Sequence, residues 1–335
     1  MRVCILGAGG LGSVIGGYLA QTGVDVTLIG RPAHMQAIAQ RGLRISGIRG
    51  EFIIKDHLMP LTHPRDAEGA FDYLILLVKG KDNQQALQDA TVLTGRVSTM
   101  LSLQNGVGKN DILAQWIGAD KVIGASTIEG GTLVEPGSVR NTLTTPTTAY
   151  FGEQDGSSSR RVQELTAAFN RTRLNAQAVT NITQVEWEKL LQIATASGWS
   201  VSTLAGVPRL TFADGVAVRE GAEHYVQLAT ELLAIYKALG YTPQDFYAPL
   251  SRFRYFESWS FTEAVEQMME MGRRLQAQGM TGRTSMHEDV LRGRKTEVDF
   301  ILKPFVEKAE TLGIASPTVR AVYRISKTVD QYLAV

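Results

Sequence analysis

The stretch Met1-Arg2-Val3-Cys4-Ile5-Leu6-Gly7-Ala8-Gly9-Gly10-Leu11-Gly12-Ser13-Val14-Ile15 decides the fold of this chain. Val3 to Leu6 is a short apolar run of the kind that forms a strand buried on both faces. Glycines at 7, 9 and 12 follow at once, and Val14, Ile15, Tyr18 and Leu19 then recur at helical spacing. After Gly23 a second β-rich run, Val24 to Ile29, completes the order strand, turn, helix, strand. In that context G-x-G-x-x-G is a dinucleotide-binding fingerprint. Its first glycine makes the tight turn, the second lets backbone approach a pyrophosphate, and the third lets helix and strand pack closely. The helix start adds unpaired N–H groups and the positive end of its dipole. Gly7, Ala8, Gly9, Gly10, Leu11 and Gly12 are therefore the expected phosphate loop.

The end of the second strand speaks to which dinucleotide binds. An Asp or Glu there accepts from a ribose 2′-hydroxyl, whereas an Arg suits a 2′-phosphate. The chain reads Gly30-Arg31, with no carboxylate until Glu51. Arg31 points to NADP(H).

With 335 residues the chain is long enough for two domains, each with its own core. Hydrophobic residues make up 44% and charged residues 20%, the balance of an ordinary globular protein. A net charge of +1 gives no reason to expect a nucleic acid or a membrane surface as partner. The lone cysteine, Cys4, rules out a disulfide within the chain and agrees with a cytoplasmic setting. His34, His57, His63, His224 and His287 are scattered and form no metal-ligand spacing. The glycines after the first apolar run argue against reading it as a signal peptide.

Taken in order, a helix is expected over 33–40 and short strands over 43–54, with turns at Gly47 and Gly50. Tyr73 to Val78 reads as a second buried strand ending at Lys79. A polar helix over 82–93 and a strand over 97–103 follow, the latter ending at Gln104-Asn105-Gly106. Ligands of an open parallel sheet sit at the carboxyl ends of its strands, where Lys79 and Asn105 both fall. Asn-Gly is also the commonest tight-turn dipeptide, so the pair counts for more than either residue alone. Helix over 111–117 and strand over 121–125 come next. The Thr-, Val- and Gly-rich run 130–151 predicts antiparallel strands extending the sheet. A helix ending near Arg171 and a last strand over 175–179 close a first domain of residues 1–181. Helical signals dominate the second, 182–335.

From Leu190 to Pro208 no residue is charged. Gln192, Thr195, Ser197, Ser200, Ser202 and Thr203 make this run too polar to span a membrane, and a helix buried all round accounts for it better. Lys189 is the last charge before that helix goes under, and Ile193, Ala196, Ser197 and Ser200 share its stripe. Further helices are expected over 216–239 and 261–275, then a polar loop over 281–289. A final helix has Val298, Ile301, Phe305, Val306 and Ala309 inward, Glu297 beside that stripe and a kink at Pro304.

Together these residues resemble the ketopantoate reductases (2-dehydropantoate 2-reductases). The matching stretches are Gly7 to Gly12, Arg31, Leu77-Val78-Lys79 and Asn105-Gly106-Val107-Gly108. Trp187-Glu188-Lys189-Leu190, Ser285-Met286 with Asp289, and Gly293 to Asp299 complete the set. The last two are the specific ones, and the resemblance runs over nearly the whole chain. It implies an α/β Rossmann domain with a mostly parallel sheet, followed by an all-α C-terminal domain. It also implies NADPH as cofactor, held by Gly7 to Gly12, Arg31, Lys79, Asn105 and the backbone at Gly130. Lys189 would be the catalytic lysine, with Asn105, Ser285 and Glu297 meeting substrate and Glu297 also near the nicotinamide.

The chain departs from that family on the substrate side. The family's asparagines one and two helical turns after the lysine are Ile193 and Ser197 here, and its Asn-Gly after the glutamate is Leu302-Lys303. One lost hydrogen bond amounts to about 0.5–1.5 kcal/mol, enough to change a side-chain preference and too little to abolish catalysis. The expected activity is NADPH-dependent reduction of ketopantoate or a closely similar small 2-oxo acid. Another branched or aromatic 2-oxo acid, or a catalytically idle NADP-binding regulator on the same fold, are the alternatives. A homodimer is compatible with the chain, and nothing in the sequence decides the oligomeric state.

Overall fold

The computed structural model describes residues 1–280 and 282–334. Thr281, the first residue of the expected polar loop, lies outside them. The chain divides into two compact units, Met1–Glu186 and Trp187–Val335.

The first unit is built on β1 (Arg2–Leu6), α1 (Gly10–Ala20), β2 (Asp25–Ile29) and α2 (Pro32–Arg41). β3 (Leu43–Gly47), β4 (Phe52–Ile54), β5 (Leu58–Leu61) and β6 (Phe71–Leu76) follow. Then come α3 (Asn83–Asp89), β7 (Val97–Ser102), α4 (Lys109–Ile117) and β8 (Gly124–Thr127). β9 (Gly130–Glu135), β10 (Ser138–Leu143), β11 (Ala149–Gly152), α5 (Arg160–Asn170) and β12 (Ala176–Ala178) complete it. Five strands form one parallel sheet in the order β5-β2-β1-β6-β7. β1 sits in the middle, and the order reverses beside it. That is the doubly wound Rossmann arrangement, in which the crevice at the reversal receives the ligand. Ile5, Val26, Leu28 and Ile75 on these strands and Val14, Ile15 and Leu19 on α1 belong to one buried cluster, as the apolar runs required.

Three expectations need correction here. β5, whose Pro60 interrupts a short half-buried segment, is an edge strand that the pattern did not mark. The expected helix over 82–93 is α-helical only to Asp89 and tightens into a 3₁₀ stretch over Ala90–Arg96. The run 130–151 does form antiparallel pairs, yet it does not extend the parallel sheet. β9 and β10 join β3 and β4, while β11 pairs with β8 and β12. The chain meets β7 at an isolated bridge, Met100 to Val122, just before β8. The cause lies in side chains distant in sequence. The Ala125 N–H donates to the Glu186 carboxylate (3.1 Å) and its carbonyl accepts from Lys109 Nζ (2.6 Å), so these backbone groups serve side chains instead of a neighbouring strand.

α6 (Ile182–Leu204) starts in the first unit and continues into the second. The second unit goes on with α7 (Phe212–Val216), α8 (Arg219–Ala238), α9 (Phe253–Phe256), α10 (Phe261–Ala277), α11 (Ser285–Leu291), α12 (Val298–Ile301), α13 (Lys303–Thr311) and α14 (Pro317–Gln331). The expected helix over 216–239 begins at Arg219. Val218 is extended, and the Gly221 backbone lies so close to Gly215 that a Cβ would sit 2.1 Å from its carbonyl oxygen. Residues 285–289 form the helix α11, whose first turn is capped by Thr284. Pro304 does not kink a helix but opens α13, where its missing N–H costs nothing. Among the described residues no helix is long and apolar enough to cross a membrane.

Candidate active site

The glycine loop has the geometry that its three positions demand. Gly7 has φ +108°, and a Cβ there would lie 2.3 Å from the Val78 backbone nitrogen, so the turn is tight in both senses. Gly12 packs so closely on the turn that a Cβ would lie 2.4 Å from the Gly7 carbonyl oxygen. A Cβ at Gly9 would meet nothing within 4 Å, so that side of the backbone is open where a pyrophosphate would approach. The Gly7 and Ala8 N–H groups bond to the Ile29 carbonyl, tying the loop to β2. The α1 amino terminus has no side-chain cap and no acidic residue in its first turn. Its free N–H groups and dipole therefore remain available to an anion. Gly10 and Leu11 lie in that first turn. Gly131, next to Gly130, presses on it, with its carbonyl oxygen 2.4 Å from where a Gly10 Cβ would stand. These residues fit a dinucleotide.

Arg31 caps α2, where its carbonyl accepts from the N–H groups of His34 and Met35. Its guanidinium is exposed and has no ion-pair or hydrogen-bond partner among the described residues. Below it, buried His34 accepts from the Gly137 N–H at Nδ1 (2.9 Å) and lies 2.9 Å from Ser13 Oγ at Nε2. A backbone N–H can only donate, so Nδ1 is unprotonated and Nε2 carries the proton. Burial holds the His34 pKa below the usual imidazole range.

Lys79 and Asn105 follow β6 and β7, and Gln104 joins them. Its side-chain amide donates to the carbonyl of Val78 (2.6 Å) and to Asn83 (2.6 Å), while its Oε1 accepts from Ser102 Oγ (2.8 Å). One buried side chain thus fixes the residue before Lys79, and its backbone carries Asn105. The Gln104 carbonyl accepts in turn from Lys109 Nζ at 3.1 Å. Lys109 is fully buried and 3.5 Å from Glu186, which also accepts from Asn110 Nδ2 (3.0 and 3.2 Å). Burial pulls both charged groups toward neutrality, opposed by their mutual attraction and by the Asn110 and Ala125 donors to Glu186. Sequence reading passed over Gln104, Lys109 and Glu186. A polar residue directly after a buried strand was the available signal for Gln104; nothing local marked the ion pair.

In the second unit Lys189 is only 7% exposed. Its neighbour Glu188 is buried and accepts from Tyr236 Oη (3.0 Å), Gln244 N–H (2.8 Å) and Phe246 N–H (3.1 Å), a brace for the helix. Between Trp187 and Val201 the partly exposed residues are Gln192, Ile193 and Ala196. At 100° per residue these lie on the stripe that Lys189 begins. Ser197, expected there too, is buried; the adjoining Gly198 packs against Leu302 and Val322. Leu302 is therefore part of the core. Ser285 is the exposed first residue of α11. Glu297 is half-buried at the start of α12, and its carboxylate has no partner among the described residues. No group of acids, histidines and cysteines among the described residues is arranged to hold a metal ion.

Comparison with known proteins agrees along the chain. The family model for ketopantoate reductase PanE/ApbA matches residues 3–156, and that for its C-terminal part matches residues 181–330. A 2-dehydropantoate 2-reductase of Pyrococcus horikoshii is 30% identical over 321 residues, 95% of this chain and 93% of that one. The solved 2-dehydropantoate 2-reductase of Geobacter metallireducens is 25% identical, superposes with a TM-score of 0.80, and covers 98% of this chain and 99% of its own. D-mandelate dehydrogenase, solved with NADH and anilino(oxo)acetate, shares the fold at 21% identity and a TM-score of 0.77, with each chain wholly covered.

Proposed function

The chain belongs to the ketopantoate reductase family, NADPH-dependent oxidoreductases, and on that premise we propose that it reduces 2-dehydropantoate to pantoate. The observation that carries this reading is Lys189: a lysine 7% exposed, placed just before the uncharged part of α6 (Leu190–Leu204), where the partly open stripe of Gln192, Ile193 and Ala196 begins. A mere cofactor sensor has no use for a lysine in such a place.

Bound NADPH supplies the hydride. The glycine loop and the uncapped start of α1 take the pyrophosphate, and Arg31 takes the 2′-phosphate. Lys79 and Asn105, held together through Gln104, take the nicotinamide side, with the Gly130 backbone beside the loop. Hydride arrival at C2 of a 2-oxo acid puts negative charge on the carbonyl oxygen. The Lys189 ammonium stabilises that charge and delivers its proton to the oxygen, a gain of roughly 10²–10⁴-fold. Ser285 donates to the substrate carboxylate, and Glu297 stands at the nicotinamide end of the site. Ile193 contributes an apolar wall.

The test is loss of reduced-nicotinamide absorbance with purified protein over a panel of 2-oxo acids that includes 2-dehydropantoate. The expected outcome is the highest kcat/KM for 2-dehydropantoate or a branched relative. No turnover with any 2-oxo acid, despite tight NADPH binding, would leave a cofactor-binding regulator as the better reading.

A further inference from the structure

The uncharged part of α6, Leu190 to Leu204, holds one fully buried polar atom that the roles above leave unused. Thr195 and Ser200 donate back to the carbonyls of Leu191 (2.8 Å) and Ala196 (2.7 Å), one turn earlier, and Ser202 donates to the Trp199 carbonyl (3.1 Å). Such bonds cost the helix little and satisfy the hydroxyls. Gln192 does nothing of the kind. Its Oε1 is buried and has no hydrogen-bond partner among the described residues, the only such side-chain atom between Leu190 and Leu204. A buried acceptor without a donor is destabilising, so a protein gains nothing by keeping one unless a ligand completes it.

Its position says which ligand. Gln192 is three residues after Lys189 and beside Ile193, so the ammonium, the amide and an apolar branched side chain share one stripe. Along the axis the Cα of Gln192 lies about 4.5 Å beyond that of Lys189, at a rise of about 1.5 Å per residue. A 2-oxo acid whose carbonyl oxygen meets Lys189 would set its side chain against Ile193 and Gln192. An unpaired acceptor asks for a donor, and a side-chain hydroxyl supplies one without adding charge. We propose that Gln192 is a specificity-determining residue that accepts a hydrogen bond from a side-chain hydroxyl of the 2-oxo acid, doing here the work lost with an asparagine at position 193. The assignment rests on the reductase reading and adds to it the residue that meets the side-chain hydroxyl.

The test compares 2-dehydropantoate with 2-oxo-3,3-dimethylbutanoate, which has the same branched skeleton without the hydroxyl. The wild-type protein should favour the hydroxylated substrate in kcat/KM by at least about tenfold, the weight of one hydrogen bond to an otherwise unpaired buried group. Gln192→Met, of similar length and without an amide, should cut that ratio about tenfold, with the loss falling on the hydroxylated substrate. Gln192→Ala should do the same by truncation, so a folding defect in either variant leaves the other to decide. A ratio unchanged in both variants, or a wild-type protein that treats the two substrates alike, overturns the role of Gln192 while the reductase reading stands. Absence of turnover on both substrates and on the wider panel would overturn that reading, and this inference with it.

Discussion

Replacing Lys109 by Met removes a charge from the interior of the first unit and leaves the volume nearly filled. In the native chain Lys109 Nζ serves the carbonyls of Gln104 (3.1 Å) and Ala125 (2.6 Å) and pairs with Glu186 at 3.5 Å. Glu186 is 4% exposed, so in the variant its carboxylate stays buried with only Asn110 and the Ala125 N–H to support it. Breaking a buried pair in this way costs about 3–5 kcal/mol. For a unit of this size each kcal/mol moves Tm by roughly 2–4 °C, so the transition should fall by about 10 °C. The effect depends on pH in a defined sense. Burial holds the Glu186 carboxyl above its ordinary pKa, and more so without Lys109. The penalty is therefore fully present above the folded-state value and is relieved as pH falls through it. Glu186→Gln in the Lys109→Met background keeps an acceptor for Ala125 and removes the stranded charge. It should recover about 1–3 kcal/mol, the coupling expected of groups in contact. Calorimetric scans of the wild type, both single variants and the double variant supply the cycle. A Lys109→Met variant within about 1 kcal/mol of wild type, or strict additivity in the double variant, would refute the account of this network.

Three further outcomes are expected. Lys189→Ala should lower kcat by at least about 10²-fold with little change in NADPH affinity. Lys189→Arg should rescue poorly because a guanidinium does not give up its proton near neutral pH; full activity in Lys189→Ala would remove the proposed acid. Arg31→Ala should weaken NADPH binding by roughly 1.5–3 kcal/mol, the weight of a charge-assisted contact, and NADH binding hardly at all. Titration calorimetry showing equal affinity of the unmutated protein for both cofactors would contradict it. Finally, His34, His224 and His287 all have pKa values lowered by burial, so the unfolded chain binds protons first as pH drops. Their contribution is intact above about pH 6.5 and is lost below it, by up to about 1.4 kcal/mol per pH unit for each. Urea unfolding midpoints that stay level between about pH 7.5 and 5.5 would show that these imidazoles are not held neutral.

The sequence alone determined whatever depends on local spacing. Strand, G-x-G-x-x-G, helix and strand follow one another in the first unit as Val3–Leu6, the glycines and Val14–Leu19 require, because a buried parallel strand and a tight turn are each specified within a few residues. Lys79 and Asn105 were legible at strand ends for the same reason, and the uncharged run after Lys189 announced a buried helix. Tertiary structure decided what depends on partners distant in the chain. Whether β8, and β11 through it, extends the parallel sheet turned on Lys109 and Glu186, 77 positions apart in sequence, capturing the backbone of Ala125. Whether Val216 to Leu239 runs unbroken turned on the close approach of Gly215 and Gly221. Which faces of α6 stay open turned on Leu302 and Val322 covering Gly198, leaving Gln192 and Ile193 on the accessible stripe and Ser197 beneath it. Helical periodicity places residues on a stripe; only the packing of the other helices says which side of that stripe a substrate can reach.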